Sequence, residues 1–271
     1  MISRRKSPAA ALAPFVRYYW YFEIGEDGLP LSQMSFPYGS FELICYLENP
    51  NMMRWLGDKN DFFEPTAFYA GQLTRPYIMT FNQKCRCLGA SLYPSAGSHL
   101  YRAPAHEFTN QLVPLEELDG NNALHQQLMT CDGEDALFDC LEAYLLKRLT
   151  GKLNDPLVHQ LTGLIIDNPD REVLNQQIGS FGLSRRRIEQ RFISSTGLSL
   201  GMFTRKVRFQ KAVHLLAGQR SGLKLTTIGL RAGYYDQPHF INEFKAFSGL
   251  APGEFNTTGL NNFMKTLMMV G

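Results

Sequence analysis

Hydrophobic and polar positions change rhythm twice along this chain. From residue 15 to about 100, short runs rich in aromatic and β-branched residues (FVRYYWYFEI, FELICYL, AFYAGQ, RPYIMTF, CRCLGASLY) are separated by turn formers such as GEDGLP and ENPN. Short apolar runs so punctuated predict strands at close intervals, and hence a β-rich N-terminal domain, a cupin-like barrel or a sandwich. From about 115 to 149 the rhythm becomes helical. Leu137, Leu141, Leu145 and Leu149 recur every fourth residue, with Cys140 and Tyr144 beside them. That stripe predicts a helix packed against its own chain, with a dimer-forming helix as the alternative. GKLNDP, around residue 153, reads as a hinge. From 157 the helical pattern runs to Phe255, predicting a second, all-α domain over 157–256, after a first over 1–152 and before a tail over 257–271.

The helical half contains an internal repeat. Ser184, Ile188, Phe192, Gly197 and Leu198 return 52 residues later as Asp236, Phe240, Phe244, Gly249 and Leu250. Ser184 and Asp236 are residue types that cap free N–H groups at helix starts. Gly182 and Gly233 precede them, each able to take a tight turn. Upstream of each turn lies a further short amphipathic segment: Leu174, Ile178 and Phe181 in one copy, Ile228 and its neighbours in the other. Helix, glycine turn and capped helix, occurring twice, predict two helix-turn-helix units. The segment MFTRKVRFQKAVHLLAG between them has the pattern of a rigid connecting helix ended by Gly218.

A helix turns about 100° per residue, so burying Ile188 and Phe192 points Arg186, Arg187 and Gln190 outward, with Arg185 at the helix start. The same rotation in the second unit exposes Pro238, His239 and Asn242, with Lys245 at the edge and Gln237 at the helix start. Arginine pairs bidentately with guanine or phosphate and glutamine can read adenine, so the first face suits a DNA major groove. Alone, three consecutive arginines are more often a solvated face. The repeated geometry reverses that weighting. Charge agrees: residues 157–256 hold 13 Lys/Arg against 7 Asp/Glu, while the remainder holds 14 against 18. A basic half on a chain of net charge +2 suits a polyanionic partner. The second face is the less cationic, and is expected to tune rather than to anchor. Two units on a rigid connector would meet successive major grooves about 34 Å apart on one side of DNA.

Other chemistries fit poorly. The five cysteines (Cys45, Cys85, Cys87, Cys131, Cys140) are odd in number and lack paired CxxC spacing, which favours free thiols in a reducing compartment. The first histidine, His99, follows nearly all the predicted strands, so a His-ligated barrel metal site is not expected. Neither a nucleophile elbow nor a phosphate loop appears, and no enzyme activity or cofactor is expected. The start, MISRRKSPAAALAPFVRYYW, imitates an export signal, but its apolar run is short, broken by Pro14 and ended by Arg17. No stretch reaches the roughly 18 apolar residues of a membrane span, and the expectation is a cytoplasmic protein without membrane partners.

These motifs carry a resemblance. The spacing I-x-x-x-x-G-Y-x-D-Q-x-H-F-x-x-x-F-K-x-x-x-G-x-x-P is met by Ile228, Gly233, Tyr234, Asp236, Gln237, His239, Phe240, Phe244, Lys245, Gly249 and Pro252. With GLSRRRIEQRF, TGLSLGMF and VRFQKAV before it, the stretch 157–256 resembles the DNA-binding domain of AraC-type (AraC/XylS) transcription regulators. The resemblance implies two helix-turn-helix units on a long helix, with Arg186, Gln190, Gln237 and Asn242 at groove-entering positions. Four residues depart from it. Asn242, Ala246 and Asn256 stand where basic residues are frequent, and Gln177 replaces a usual leucine. More loosely, FPYGSFELICYL, AGQLTRP and the run from LGASLY to PLEEL resemble the β-rich regulatory domain of one AraC subgroup. That implies control by a small-molecule effector of unknown identity, and leaves open a homodimer and a contact with RNA polymerase. Tyr18, Tyr19, Trp20, Phe41, Phe62, Phe63, Tyr69 and Tyr77 are candidate pocket walls, although aromatic clusters in small β domains are mostly core. The competing readings are a DNA-alkylation-responsive repair and regulatory protein using Cys85 or Cys87, and a ligand-independent architectural DNA-binding protein.

Overall fold

Alternating burial builds the first domain. The computed structural model describes residues 2–37, 39–149, 155–217 and 223–255. Among these residues ten strands form two antiparallel sheets: β1 (Ile2–Lys6), β2 (Val16–Ile24), β3 (Leu31–Ser35), β4 (Phe41–Glu48), β5 (Met52–Trp55), β6 (Phe62–Phe63), β7 (Ala67–Ala70), β8 (Tyr77–Phe81), β9 (Cys85–Leu92) and β10 (Leu112–Pro114). The larger sheet has the order β1-β2-β9-β4-β7-β10 and the smaller β3-β8-β5-β6, so the domain is a two-sheet sandwich. In β2 the even positions Tyr18, Trp20 and Phe22 face the other sheet, while Tyr19 and Tyr21 enter a second core on the outer face. Side chains alternate across a strand, so a strand covered on both faces carries a continuous apolar run, and this one does.

Helices α1 (Leu115–Asp119), α2 (Ala123–Met129) and α3 (Glu134–Arg148) cover that outer face. Leu137, Leu141, Leu145 and Leu149 are all buried there with Tyr144, in one core with Phe41, Leu43 and Tyr69. The leucine stripe therefore packs within its own chain. The basic start of the chain has a structural use: Arg4 bonds Glu134 and Asp135 at 3.2 and 2.7 Å, and Lys6 meets Asp139 at 2.5 Å. These ion pairs fasten β1 over α3.

Among the described residues six helices follow: α4 (Pro156–Asp167), α5 (Arg171–Ser180), α6 (Arg185–Thr196), α7 (Leu200–Ala217), α8 (Leu225–Arg231) and α9 (Gln237–Ser248). Asp155 caps α4 by accepting from the Val158 amide at 3.2 Å. The expected hinge at GKLNDP and the stop at Gly218 lie largely or wholly outside the described residues, as do Asn256 and the tail.

The two domains share buried surface. Phe36 packs on Phe209 of α7 and on Phe255, with ring centroids 5.8 and 5.5 Å apart, so the inter-sheet core runs on into the second helix-turn-helix unit. Lys206, fully buried on α7, donates to Gln72 Oε1 at 2.7 Å and to the Leu73 carbonyl at 2.8 Å. At the far end, Thr109 Oγ1 donates to the Gly197 carbonyl at 2.8 Å.

Candidate nucleic-acid interface

Each unit is assembled from the same small parts. In the first, Ser184 accepts from the Arg187 amide at 3.4 Å and α6 ends on Gly197 at φ 78°. In the second, Asp236 accepts from the His239 amide at 2.8 Å and α9 ends on Gly249 at φ 75°. Both predicted caps are therefore in place, each satisfying an amide that the helix leaves unpaired. Gly182 and Gly233 also take positive φ, 64° and 94°. The repeat extends to a pair the sequence motif did not include. Thr196 and Ser248 each donate a hydroxyl to a carbonyl four residues back (Phe192, Phe244) at 2.8 Å. Each also accepts from the amide two residues on (Leu198, Leu250), at 3.3 and 3.1 Å. Identical closures 52 residues apart give α6 and α9 the same exit geometry.

The anchoring faces match as well. Ile188 and Phe192 are buried against Val158, Leu161, Ile165 and Phe203. Phe240 and Phe244 are buried with Phe209, Tyr234 and Phe247. The opposite face of α6 presents Arg185, Arg186, Arg187 and Gln190, all exposed. On α9 the exposed residues are Pro238, Asn242 and Lys245, while Gln237 and His239 are half-buried. His239 lies edge-on against the Tyr234 ring at 5.5 Å. Of the predicted face, then, the first unit is wholly outward and the second partly turned in. Ala246, one of the departures toward lower charge, is also exposed.

Helices α6 and α9 each contain a single acid, and each acid is engaged by α7. Glu189 Oε1 accepts from the Leu200 amide at 3.1 Å, capping α7. Glu243 pairs with Arg205 of α7 at 2.6 Å. Arg191, one turn beyond the exposed arginines, is directed inward onto Asp155 at 2.7 and 2.5 Å. Glu189 is half-buried and borders a shallow hollow with Arg185 and Arg186, its Oε1 engaged by the Leu200 amide. Three exposed arginines against one half-buried, hydrogen-bonded carboxylate leave that surface net positive, which favours an approaching anion.

Three features escaped the motif reading. Tyr235, beside the cap of α9, is 88% exposed, whereas its neighbour Tyr234 is 2% exposed. Arg185 Nη1 donates to Asn175 Oδ1 of α5 at 3.1 Å. Thr226 Oγ1 of α8 donates to Gln237 Oε1 at 2.7 Å. The only sequence signal for the last two is a polar residue ten or eleven positions ahead of each helix start.

The candidate pocket walls in the first domain divide differently. Tyr19, Phe41 and Tyr69 are core residues of the outer face, Trp20 belongs to the inter-sheet core, and Phe62 and Phe63 are exposed. Tyr18 alone of the eight lines a cavity that lies between the domains and has a volume of about 590 Å³. Its walls include Phe36, Pro37, Phe203, Val207, Phe209, Val213 and His214, and Arg17, Lys211 and Arg231 contribute cationic groups. Glu42 also lines it; half-buried, its carboxylate accepts from Trp20 Nε1, Ser40 Oγ and Ser91 Oγ at 3.0, 2.7 and 2.8 Å. Burial raises its pKa, against the opposing effect of those donors. Cys85 and Cys87 share one face of β9, as expected, but both are buried. Burial pushes the Cys85 thiol up to about 12 and Cys87 well above its usual value. A neutral, buried thiol is a poor nucleophile, and the structure gives the alkylation reading no support.

Comparison with known proteins follows the same division. Residues 179–258 match the family model of a helix-turn-helix domain, and residues 4–114 match that of a domain of unknown function. The C-terminal domain belongs to the AraC type. RhaS, a transcriptional activator of Klebsiella pneumoniae, is 31% identical over 93 residues, 34% of this chain and 33% of that protein. The regulator MtrA of Neisseria gonorrhoeae is 28% identical over 127 residues, 44% of this chain and 42% of its own length. An uncharacterized regulator of Haemophilus influenzae is 26% identical over 186 residues, 65% of this chain and 59% of that protein. The chain thus spans less than two thirds of the length of these relatives. Among solved structures, ToxT of Vibrio cholerae O395 is similar with a TM-score of 0.48 at 10% identity, over 89% of this chain and 97% of that one.

Proposed function

We propose that the chain is a sequence-specific DNA-binding transcription regulator, controlled by a small molecule held between its two domains. The observation that carries the first part is the matched pair of capped, glycine-closed helices whose acids are each engaged by α7 and which expose Arg185, Arg186, Arg187 and Lys245. Arg185, Arg186, Arg187 and Gln190 supply most of the affinity, and Gln237, Pro238, His239, Asn242 and Lys245 complete the reading surface. Acting on DNA, the protein works in the cytoplasm. Selection of bound duplexes from a random pool tests this, followed by a salt series on the winning sequence. A defined motif, with affinity falling steeply as salt rises, is expected from phosphate contacts. Equal affinity for the selected and random duplexes would remove the proposal.

Control by a small molecule is supported by the cavity. Its aromatic and aliphatic walls with a few convergent polar groups are the usual composition of an effector site. Because α7 forms one wall and also joins the two units, an occupant that prefers one domain arrangement shifts the spacing of the reading helices. Gly39 lines this cavity, and a Cβ there would stand 3.7 Å from Phe203 and Gln210. A compound that raises the melting temperature and changes DNA affinity should do neither in Gly39→Leu, whose side chain occupies the space. A compound acting equally on both proteins binds elsewhere.

A further inference from the structure

The two reading helices begin with residues that are repeat partners, Arg185 and Gln237, and neither side chain is loose. Each is hydrogen-bonded to the supporting helix of its own unit: Arg185 to Asn175 of α5 at 3.1 Å, and Gln237 to Thr226 of α8 at 2.7 Å. The second contact has a consequence for what α9 can recognise. A glutamine side chain offers one carbonyl acceptor and one amide group with two donors. Reading adenine bidentately uses both ends, since Oε1 takes the base's exocyclic N–H while Nε2 donates to N7. In this protein the Thr226 hydroxyl occupies Oε1 as its donor. The amide nitrogen is then the end left for a base, and guanine presents two acceptors in the major groove, O6 and N7.

We infer that Thr226 is a specificity-determining residue: by fixing the Gln237 amide with its nitrogen outward, it turns that glutamine toward guanine and away from adenine. The inference rests on the DNA-reading function proposed above. Thr226 touches no base in this role; it acts by orienting Gln237. The carbonyl oxygen retains a second lone pair, so the preference is a bias. A net intramolecular hydrogen bond corresponds to about a two- to tenfold preference, and that is the scale expected. The first unit has no equivalent ambiguity. Arginine carries only donors, so Asn175 sets the direction of the Arg185 fork without changing which atoms it can address.

The test is selection from randomised duplexes with the full chain and four variants: Gln237→Ala, Thr226→Val, Thr226→Ser and Arg186→Ala. The column whose preference disappears in Gln237→Ala is the base that Gln237 reads. Wild type should favour guanine there, and Thr226→Val should move that column toward adenine by about two- to tenfold. Thr226→Ser restores the hydroxyl and should restore guanine. The column lost in Arg186→Ala should not respond to either Thr226 change, which a general loosening of the domain would not spare. Thr226 is exposed on α8, so the valine variant is expected to melt as wild type does, and melting curves check this directly. If wild type prefers adenine in that column, or Thr226→Val leaves it unchanged, or Thr226→Ser behaves like valine, the inference fails. If wild type selects no motif at all, the failure lies with the proposed function itself.

Discussion

At the scale of single residues, the proposal distinguishes side chains that read, hold phosphate or cap. Arg186 is exposed on the outward face of α6 and should read a base, so Arg186→Ala is expected to relax one motif position at a loss of about 1–3 kcal/mol. Lys245 sits at the edge of α9 and is suited to phosphate. Lys245→Ala should weaken every sequence alike and reduce the slope of log affinity against log salt by about 1. A salt titration on two duplexes separates the two behaviours. The caps are expected to differ from one another. Asp236 accepts at 2.8 Å and carries a charge at a helix N-terminus, whereas Ser184 accepts at 3.4 Å and is neutral. Replacing a cap by alanine typically costs about 1 kcal/mol, and Asp236→Ala should exceed Ser184→Ala in denaturant titrations.

At the scale of elements, the ends of α6 and α9 meet the N-terminal domain through equivalent glycines, yet their surroundings differ. A Cβ at Gly197 would stand 2.7 Å from Thr109 Oγ1 and 2.9 Å from the Ala105 carbonyl oxygen, and the backbone there is left-handed. At Gly249 the near atom is a methyl of Leu56, at 2.4 Å. A leucine tip can swing aside, whereas a backbone carbonyl in a packed turn cannot. Both alanine variants incur the left-handed strain of roughly 1–2 kcal/mol. Gly197→Ala should therefore lower stability more than Gly249→Ala, read as the difference in denaturation midpoints. Elements differ also in how far they were legible. The predicted strands are apolar on at least one face, and the reading helices announce themselves through the 52-residue repeat. β1 is a charged edge strand, β6 is two exposed residues and β10 ends in proline, so none has the alternation that marks a half-buried strand. The Asn175 and Thr226 contacts join residues across a turn, where no period applies. The cavity is formed by strands, loops and helices of two domains, which a pattern within either cannot show.

At the scale of the whole molecule, the contact that most directly joins the domains is the buried amine of Lys206. It lies on the helix that connects the two units, and Gln72, one of its acceptors, donates in turn to the Gly39 carbonyl at 3.2 Å, beside the cavity. Burial lowers the Lys206 pKa to about 7. The docked state therefore resists protonation of an amine that the unfolded chain holds protonated up to its ordinary value of 10.5. Between those two values the unfolded chain binds more protons at this site, so Lys206's contribution to stability rises as pH rises through that window. Below about pH 7 both states are protonated and the contribution is flat. Other buried groups act outside or against this window. Glu64 is raised to about 7, so its contribution falls between its ordinary value and 7, and the Cys45 and Cys85 thiols, raised to about 12, act against Lys206 above their ordinary value of 9. The clean interval is pH 7 to 9, and the clean measurement is a difference between proteins. Lys206→Met keeps the buried stem and removes the titrating group, while leaving Gln72 Oε1 and the Leu73 carbonyl without this donor. Denaturant midpoints for wild type should climb from pH 7 to 9 relative to those of Lys206→Met. If the difference between the two proteins does not change with pH over that interval, Lys206 is not the group that links proton uptake to domain docking.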